Sequence, residues 1–176
     1  MKILFVYPPF CTPASPPYSI TNLNSKIKSE VLDLNLEFHK LKFPIYKAYY
    51  QKDCTNYEKI TNDYNKISSI TYAKNNRKVL NKKKPEFFDE LLEMIKEKNA
   101  DIIAFSVVYS SQTFYTYALL KELKNTVVGG PAVNKKLLDL TDKTLDIPEE
   151  EHPLDFSSYK DYFTPKPVIP IKSSST

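Results

Sequence analysis

Two short stretches of this chain are apolar on both faces of an extended backbone, and they limit what it can fold into. Ile3-Leu4-Phe5-Val6-Tyr7 follows Lys2, is largely β-branched and aromatic, and stops at Pro8-Pro9. Asp101-Ile102-Ile103-Ala104-Phe105-Ser106-Val107-Val108 repeats the pattern. A half-exposed strand alternates apolar with polar residues. A strand that does not alternate needs cover on both sides, as the central strands of a parallel sheet receive from helices.

The intervening segments fit that reading. Residues 8–17, PPFCTPASPP, are too rich in proline for regular structure. Tyr18 to Lys28 places Ile20, Leu23 and Ile27 on one helical stripe. Residues 31–36, VLDLNL, alternate with period two and read as a second strand. Residues 41–83 carry many Tyr, Lys and Asn and few aliphatics; they read as a helical insertion, with helices near 44–51 and 56–80 packed loosely on the sheet. Pro85 suits the first turn of a helix whose inward residues are Phe87, Phe88, Leu91, Leu92 and Ile95. After the third strand, Ser110-Ser111 are placed to cap a helix over 112–124, with Phe114, Tyr117, Leu120 and Leu123 inward. Thr126-Val127-Val128 gives a fourth strand, ended by Gly129-Gly130-Pro131. Both of the chain's glycines stand there. Glycine reaches positive φ at low cost, so both are expected where the backbone turns sharply or approaches something closely. A short helix over 132–139 and a fifth strand near 143–147 complete the pattern.

The expected fold is therefore α/β: an open, doubly wound parallel sheet of about five strands over residues 1–147, flavodoxin-like or Rossmann-like. The expected strand order is 2-1-3-4-5 with right-handed crossovers. Residues 148–176 read as an extended tail, through Glu149-Glu150-Glu151 and Pro165-Lys166-Pro167-Val168-Ile169-Pro170-Ile171.

Composition narrows the function classes. The chain has 176 residues, one domain's worth, and 25 Lys+Arg against 21 Asp+Glu, a net charge of +4. That balance does not call for nucleic acid, and Arg77-Lys78 with Lys82-Lys83-Lys84 reads as a solvated helix end. No stretch approaches the roughly 20 apolar residues of a membrane span. Cys11 and Cys54 are the two cysteines. Two thiols without a secretory leader point to a reducing cytoplasm rather than a disulfide framework. His39 and His152 have no carboxylate or thiol at metal-ligand spacing and read as surface or packing residues. No phosphate-loop, dinucleotide, zinc-protease or nucleophile-elbow pattern is present.

In a sheet of this type ligands bind beyond the carboxyl ends of the strands, at the switch point between strands 1 and 3. Three loops should meet there. The candidate ligand-binding residues are Pro9, Phe10, Cys11, Thr12, Ser15 and Tyr18 from the first loop. Ser106, Tyr109, Ser110, Ser111 and Gln112 come from the third strand and its loop, and Gly129, Gly130 and Pro131 from the fourth. The helix beginning near Ser111 would aim its N-terminal amides into the crevice. The plain alternative is that prolines and serines here are punctuation. No catalytic or metal-ligating residue emerges. A phospho-receiver needs an Asp at the carboxyl end of strand 3; Asp101 lies at the amino end.

One family resembles this chain in several of these segments. Tyr7-Pro8-Pro9-Phe10-Cys11-Thr12-Pro13-Ala14-Ser15-Pro16-Pro17-Tyr18-Ser19 looks like the opening of the B12-binding radical SAM proteins. Leu32-Asp33-Leu34-Asn35, residues 104–112 (AFSVVYSSQ) and residues 127–132 (VVGGPA) are similar to the same family. So is the tail, through Leu154-Asp155-Phe156, Tyr162-Phe163 and Pro170-Ile171-Lys172. The likeness spans most of the chain except 41–83, and its first-loop motif is the most specific part. It implies an N-terminal cobalamin-binding-like, Rossmann-like domain, with cobalamin as its cofactor. A radical SAM barrel would follow, holding a [4Fe–4S] cluster through CxxxCxxC and cleaving S-adenosylmethionine. This sequence ends before that motif, and two cysteines are one short of the three thiolates the cluster needs. The expectation is a split or truncated enzyme. Cluster and S-adenosylmethionine would sit on a partner barrel subunit, residues 148–176 would lead toward it, and Val168, Ile169 and Ile171 would form a docking strap. The AspxHisxxGly cobalt-ligand motif is absent, Glu37 standing two before His39, so cobalamin would have no histidine beneath its cobalt. Two other readings stand beside this one. One is a stand-alone scaffold with a vestigial crevice. The other is an FMN or nucleotide carrier, which the first loop disfavours because prolines offer no N–H to a phosphate.

Overall fold

The computed structural model describes residues 1–11, 17–42 and 57–146. Among these residues four strands form one parallel sheet in the order β2-β1-β3-β4. The strands are β1 (Ile3–Tyr7), β2 (Glu30–Asp33), β3 (Ile102–Ser106) and β4 (Thr126–Gly129). The helices are α1 (Tyr18–Lys26), α2 (Leu34–Lys42), α3 (Tyr57–Leu80), α4 (Phe88–Glu97), α5 (Thr113–Leu120) and α6 (Lys135–Leu138). The open, doubly wound parallel α/β fold is as the two apolar runs require. Leu4 pairs with Ile103, Phe5 with Ala104 and Phe5 also with Val31, so β1 lies at the centre. Ser106 pairs with Gly129 at the carboxyl end of β3 and β4.

Each central strand feeds two cores. Leu4, Val6, Ile103 and Phe105 point into one with α2, α4 and α5, while Ile3, Phe5, Tyr7, Ile102 and Ala104 point into the other with Ile20 of α1. Every residue of β1 and β3 is buried. At about 1.5–3 kcal/mol for each large apolar side chain removed from water, this double burial holds the sheet between its helices. No helix among the described residues is long and apolar enough to cross a membrane.

Several boundaries differ from the sequence expectation. The second strand stops at Asp33 rather than continuing to 36, because the Asp33 Oδ1 accepts the Leu36 N–H at 2.9 Å and starts α2 there. Leu34 and Phe38 then lie one helical turn apart in the core. Pro85 does not open α4, which begins at Phe88 after Phe87 adopts φ 56°. The helix after β3 is shorter than expected and begins with a 3-10 turn, Ser110–Gln112. Its buried side is Tyr115, Thr116, Leu119 and Leu120, while Phe114 and Tyr117 are only half-buried. Residues 143–146 form no strand, so the described sheet has four strands rather than five. Nor is α3 loosely attached at its C-terminal half. The Asn75 Oδ1 accepts the Glu86 N–H at 2.6 Å, Lys42 of α2 pairs with the Glu86 carboxylate at 2.7 Å, and the Tyr115 hydroxyl donates to the Glu86 carbonyl at 2.6 Å. The helix expected near 44–51, Cys54, His152 and the tail from 148 lie outside the described residues.

Candidate functional site

The parallel order sends the chain out of β1, β3 and β4 on the same edge of the sheet, and side chains join the three exits. Gln112 does most of the joining. It is fully buried, its Oε1 accepts the Val108 and Tyr109 N–H groups at 2.8 and 2.9 Å, and its Nε2 donates to the Pro8 carbonyl at 2.7 Å. Ser111 Oγ donates to the Phe10 carbonyl at 2.6 Å. On the third side the Val107 N–H donates to the Gly129 carbonyl at 2.8 Å, and the Ala132 N–H to the Val107 carbonyl at 3.1 Å.

The glycines divide in role. Gly130 has φ +116°, and a Cβ there would run into the Val107 carbonyl oxygen. Only glycine fits both the dihedral and the contact. A Cβ on Gly129 would meet nothing within 4 Å, so the close approach expected of both glycines belongs to Gly130.

Cys11 is held between α2 and the end of β1. Its N–H donates to Asn35 Oδ1 at 2.9 Å, Asn35 Nδ2 donates back to Sγ at 3.4 Å, and the thiol donates to the Tyr7 hydroxyl at 3.4 Å. Burial pushes the thiol up to about 12, against a weaker lowering by the Tyr7 hydrogen bond. Burial likewise pushes the Tyr7 hydroxyl well above its ordinary value. Both groups are neutral at physiological pH, so Cys11 is built to pack and hydrogen-bond, not to attack.

The candidate residues thus fall into three groups. Pro9, Phe10, Ser106 and Gln112 are buried and serve the frame. Phe10 is in the core, edge-on to Phe38 and Tyr115 with ring centroids 4.7 and 5.5 Å away. Ser106 Oγ donates to Ser19 Oγ at 2.8 Å and ties β3 to α1. Tyr109, Ser110, Gly129, Gly130 and Pro131 are exposed along the rim, with Ser111 and Cys11 half-buried behind them and Tyr18 exposed at the start of α1. Thr12 and Ser15 lie outside the described residues.

The helix-terminus expectation changes in kind. Ser110-Ser111 do not cap by their hydroxyls, since Ser111 Oγ is turned to Phe10, and the Val108 and Tyr109 amides are taken by Gln112. What the rim offers a ligand is hydroxyls, a tyrosine ring and glycine backbone. Sequence reasoning missed Asn35 and Ser19. Asn35 was hidden by being assigned to a strand; the signal available was Asp33 followed three residues later by Leu36, with Leu34 and Phe38 at helical spacing. No group of three or more His, Cys, Asp or Glu side chains able to hold a metal occurs among the described residues. Neither the protein-family models, nor the curated proteins, nor the solved structures contain a match to this chain.

Proposed function

We propose that this chain is the cofactor- or substrate-binding portion of a radical SAM enzyme, a cobalamin-binding-like domain working with an iron–sulfur barrel. That barrel would carry the [4Fe–4S] cluster and S-adenosylmethionine. The observation that supports the reading most is the single rim on which the loops after β1, β3 and β4 meet, tied by Gln112 to Pro8 and by Ser111 to Phe10. This is where sheets of this type place ligands, and residues 7–11, 104–112 and 127–132, which carry part of the family resemblance, lie along it.

A corrin would lie across the rim, where Tyr109, Ser110, Gly129 and Gly130 are exposed and would face the polar amides at its edge. A nucleotide tail entering between the β1 and β3 exits would have to displace Gln112 and Ser106, which are buried and hydrogen-bonded to Pro8 and Ser19. His39 is buried within α2, its Nδ1 2.6 Å from the Asn35 carbonyl, and burial holds it down to about 4. It is not available beneath a cobalt. Bound cobalamin would supply alkyl transfer at cobalt; this chain's part is to hold it and exclude water.

A second reading has its own support. The full satisfaction of Gln112 and the closed Cys11–Asn35–Tyr7 set favour a scaffold whose crevice is vestigial. Titrating the purified chain with hydroxocobalamin separates the two. The first predicts a shifted visible spectrum and co-elution of the corrin on gel filtration. An unchanged spectrum and no retention remove cobalamin and leave the scaffold.

A further inference from the structure

A groove of about 930 Å³ lies away from the rim, between the C-terminal end of α3, the outer side of α5 and α6. Its lining includes Leu80, Phe114, Tyr117 and Leu140. Periodicity assigned Phe114 and Tyr117 to the core; the structure leaves both half-buried, with Tyr117 at the margin of the core, and both line this groove. The rim of the groove is cationic. Lys84 is engaged with Asp89 at 2.6 Å and Lys121 lies over the Tyr117 ring at 5.7 Å. Lys82, Lys83, Lys135 and Lys136 are exposed and form no ion pair among the described residues. An apolar floor beneath unpaired positive charge is unusual for a surface that only faces water.

We propose that this groove docks an acidic amphipathic segment of a partner protein. Charge complementarity selects the sign, and the floor selects the kind of molecule. At a helix diameter of about 10 Å and 5.4 Å per turn, the volume holds roughly two turns of α-helix. Two turns present apolar anchors at i, i+3 or i+4, and i+7 on one side, with carboxylates flanking them toward the lysines. A nucleic-acid backbone suits the groove less well. Glu122 and Asp139 interrupt the lysine rim and would repel a continuous run of phosphates, and no arginine lines it.

The test displays random 16-residue peptides to the immobilised full chain and compares the winners on a Lys82→Gln, Lys83→Gln, Lys135→Gln, Lys136→Gln variant. All four positions are exposed, so the variant keeps its far-UV circular dichroism spectrum. The proposal expects enriched peptides with Leu or Phe at helical spacing among Glu and Asp. They should bind the variant at least tenfold more weakly, and binding to the unmodified chain should fall with added salt. Phe114→Ser, a change in the floor alone, should weaken the same peptides at unchanged salt dependence. No enrichment, enriched peptides without acidic excess, or equal binding to the variant overturns the proposal. Competition by single-stranded RNA homopolymer at the peptides' own affinity overturns it in favour of nucleic acid. A synthetic peptide of residues 147–160 binding with the same lysine dependence overturns the partner in favour of this chain's own acidic segment.

Discussion

Replacing Gln112 with leucine keeps the side-chain volume and removes both polar ends. The Val108 N–H loses its acceptor and the Pro8 carbonyl its donor, and both sit where water has little access. The Tyr109 N–H also loses Oε1, but Tyr109 is 51% exposed, so water can replace it. Two orphaned groups cost about 1–3 kcal/mol each, less about 1 kcal/mol for the more apolar side chain. The net loss should be about 1–5 kcal/mol, a sizeable share of the 5–15 kcal/mol typical of a domain. Urea unfolding of the full chain, followed by far-UV circular dichroism, measures it. With a slope of about 2 kcal/mol/M the midpoint should drop by roughly 0.5–2.5 M. Gln112→Glu sharpens the test. A protonated carboxyl can donate to Pro8 and accept from Val108 and Tyr109, whereas the carboxylate would face a carbonyl oxygen. Its folded pKa must therefore rise above the unfolded value of about 4.3. Sign follows: an acid with a raised folded pKa binds more protons folded than unfolded, so stability falls as pH increases through 4.3 and levels off above the folded pKa. Gln112→Leu should show no such added slope. A leucine variant within about 0.5 kcal/mol of the parent at unchanged slope would refute the claim that this side chain joins the first and third loops.

Gly130→Ala, forcing a Cβ into the Val107 carbonyl at φ +116°, should cost about 2–4 kcal/mol, whereas Gly129→Ala should stay within about 1 kcal/mol; thermal melts of the pair check the contrast, and equal losses would contradict it. Cys11, with its thiol pushed up to about 12, should resist iodoacetamide at pH 7.5 in the native chain and react once unfolded in urea, read by mass spectrometry at that residue. His39 folds with its pKa held down to about 4 by burial, against 6.5 unfolded. The unfolded state takes up the proton first, so this histidine's stabilisation is present above pH 6.5 and is lost as pH falls toward 4, by about 3 kcal/mol in all. His39→Gln should flatten the urea midpoint over that window, and an unchanged pH profile would count against the burial argument.

The sheet was legible because Ile3–Tyr7 and Ile102–Ser106 lack alternation, a signal that survives any error in neighbouring elements. The edge elements were less so. Residues 31–36 alternate well enough to pass as a strand, and one hydrogen bond from the Leu36 N–H to the Asp33 carboxylate decides for a helix instead. The α5 face was misjudged for a related reason. Phe114 and Tyr117 are as apolar as Tyr115 and Leu119, so composition could not say which side faced the sheet; the structure leaves the first pair half-buried, where they line the lysine-rimmed groove. At the site, the three loops and their meeting place could be read from strand order alone. What could not be read is which polar residues the frame consumes. Gln112, Ser106 and Cys11 look like ligand contacts in sequence, and only their partners at 2.7–3.4 Å distinguish wall from surface.

Mapping hydroxocobalamin onto the chain by amide chemical-shift changes in a ¹⁵N spectrum tests the proposed site most directly. Saturable shifts should gather at Cys11, Tyr109, Ser110, Gly129 and Gly130, and leave Lys83 and Lys135 unmoved. Shifts confined to the lysine groove, or none at millimolar corrin, would contradict a ligand site at the carboxyl ends of β1, β3 and β4.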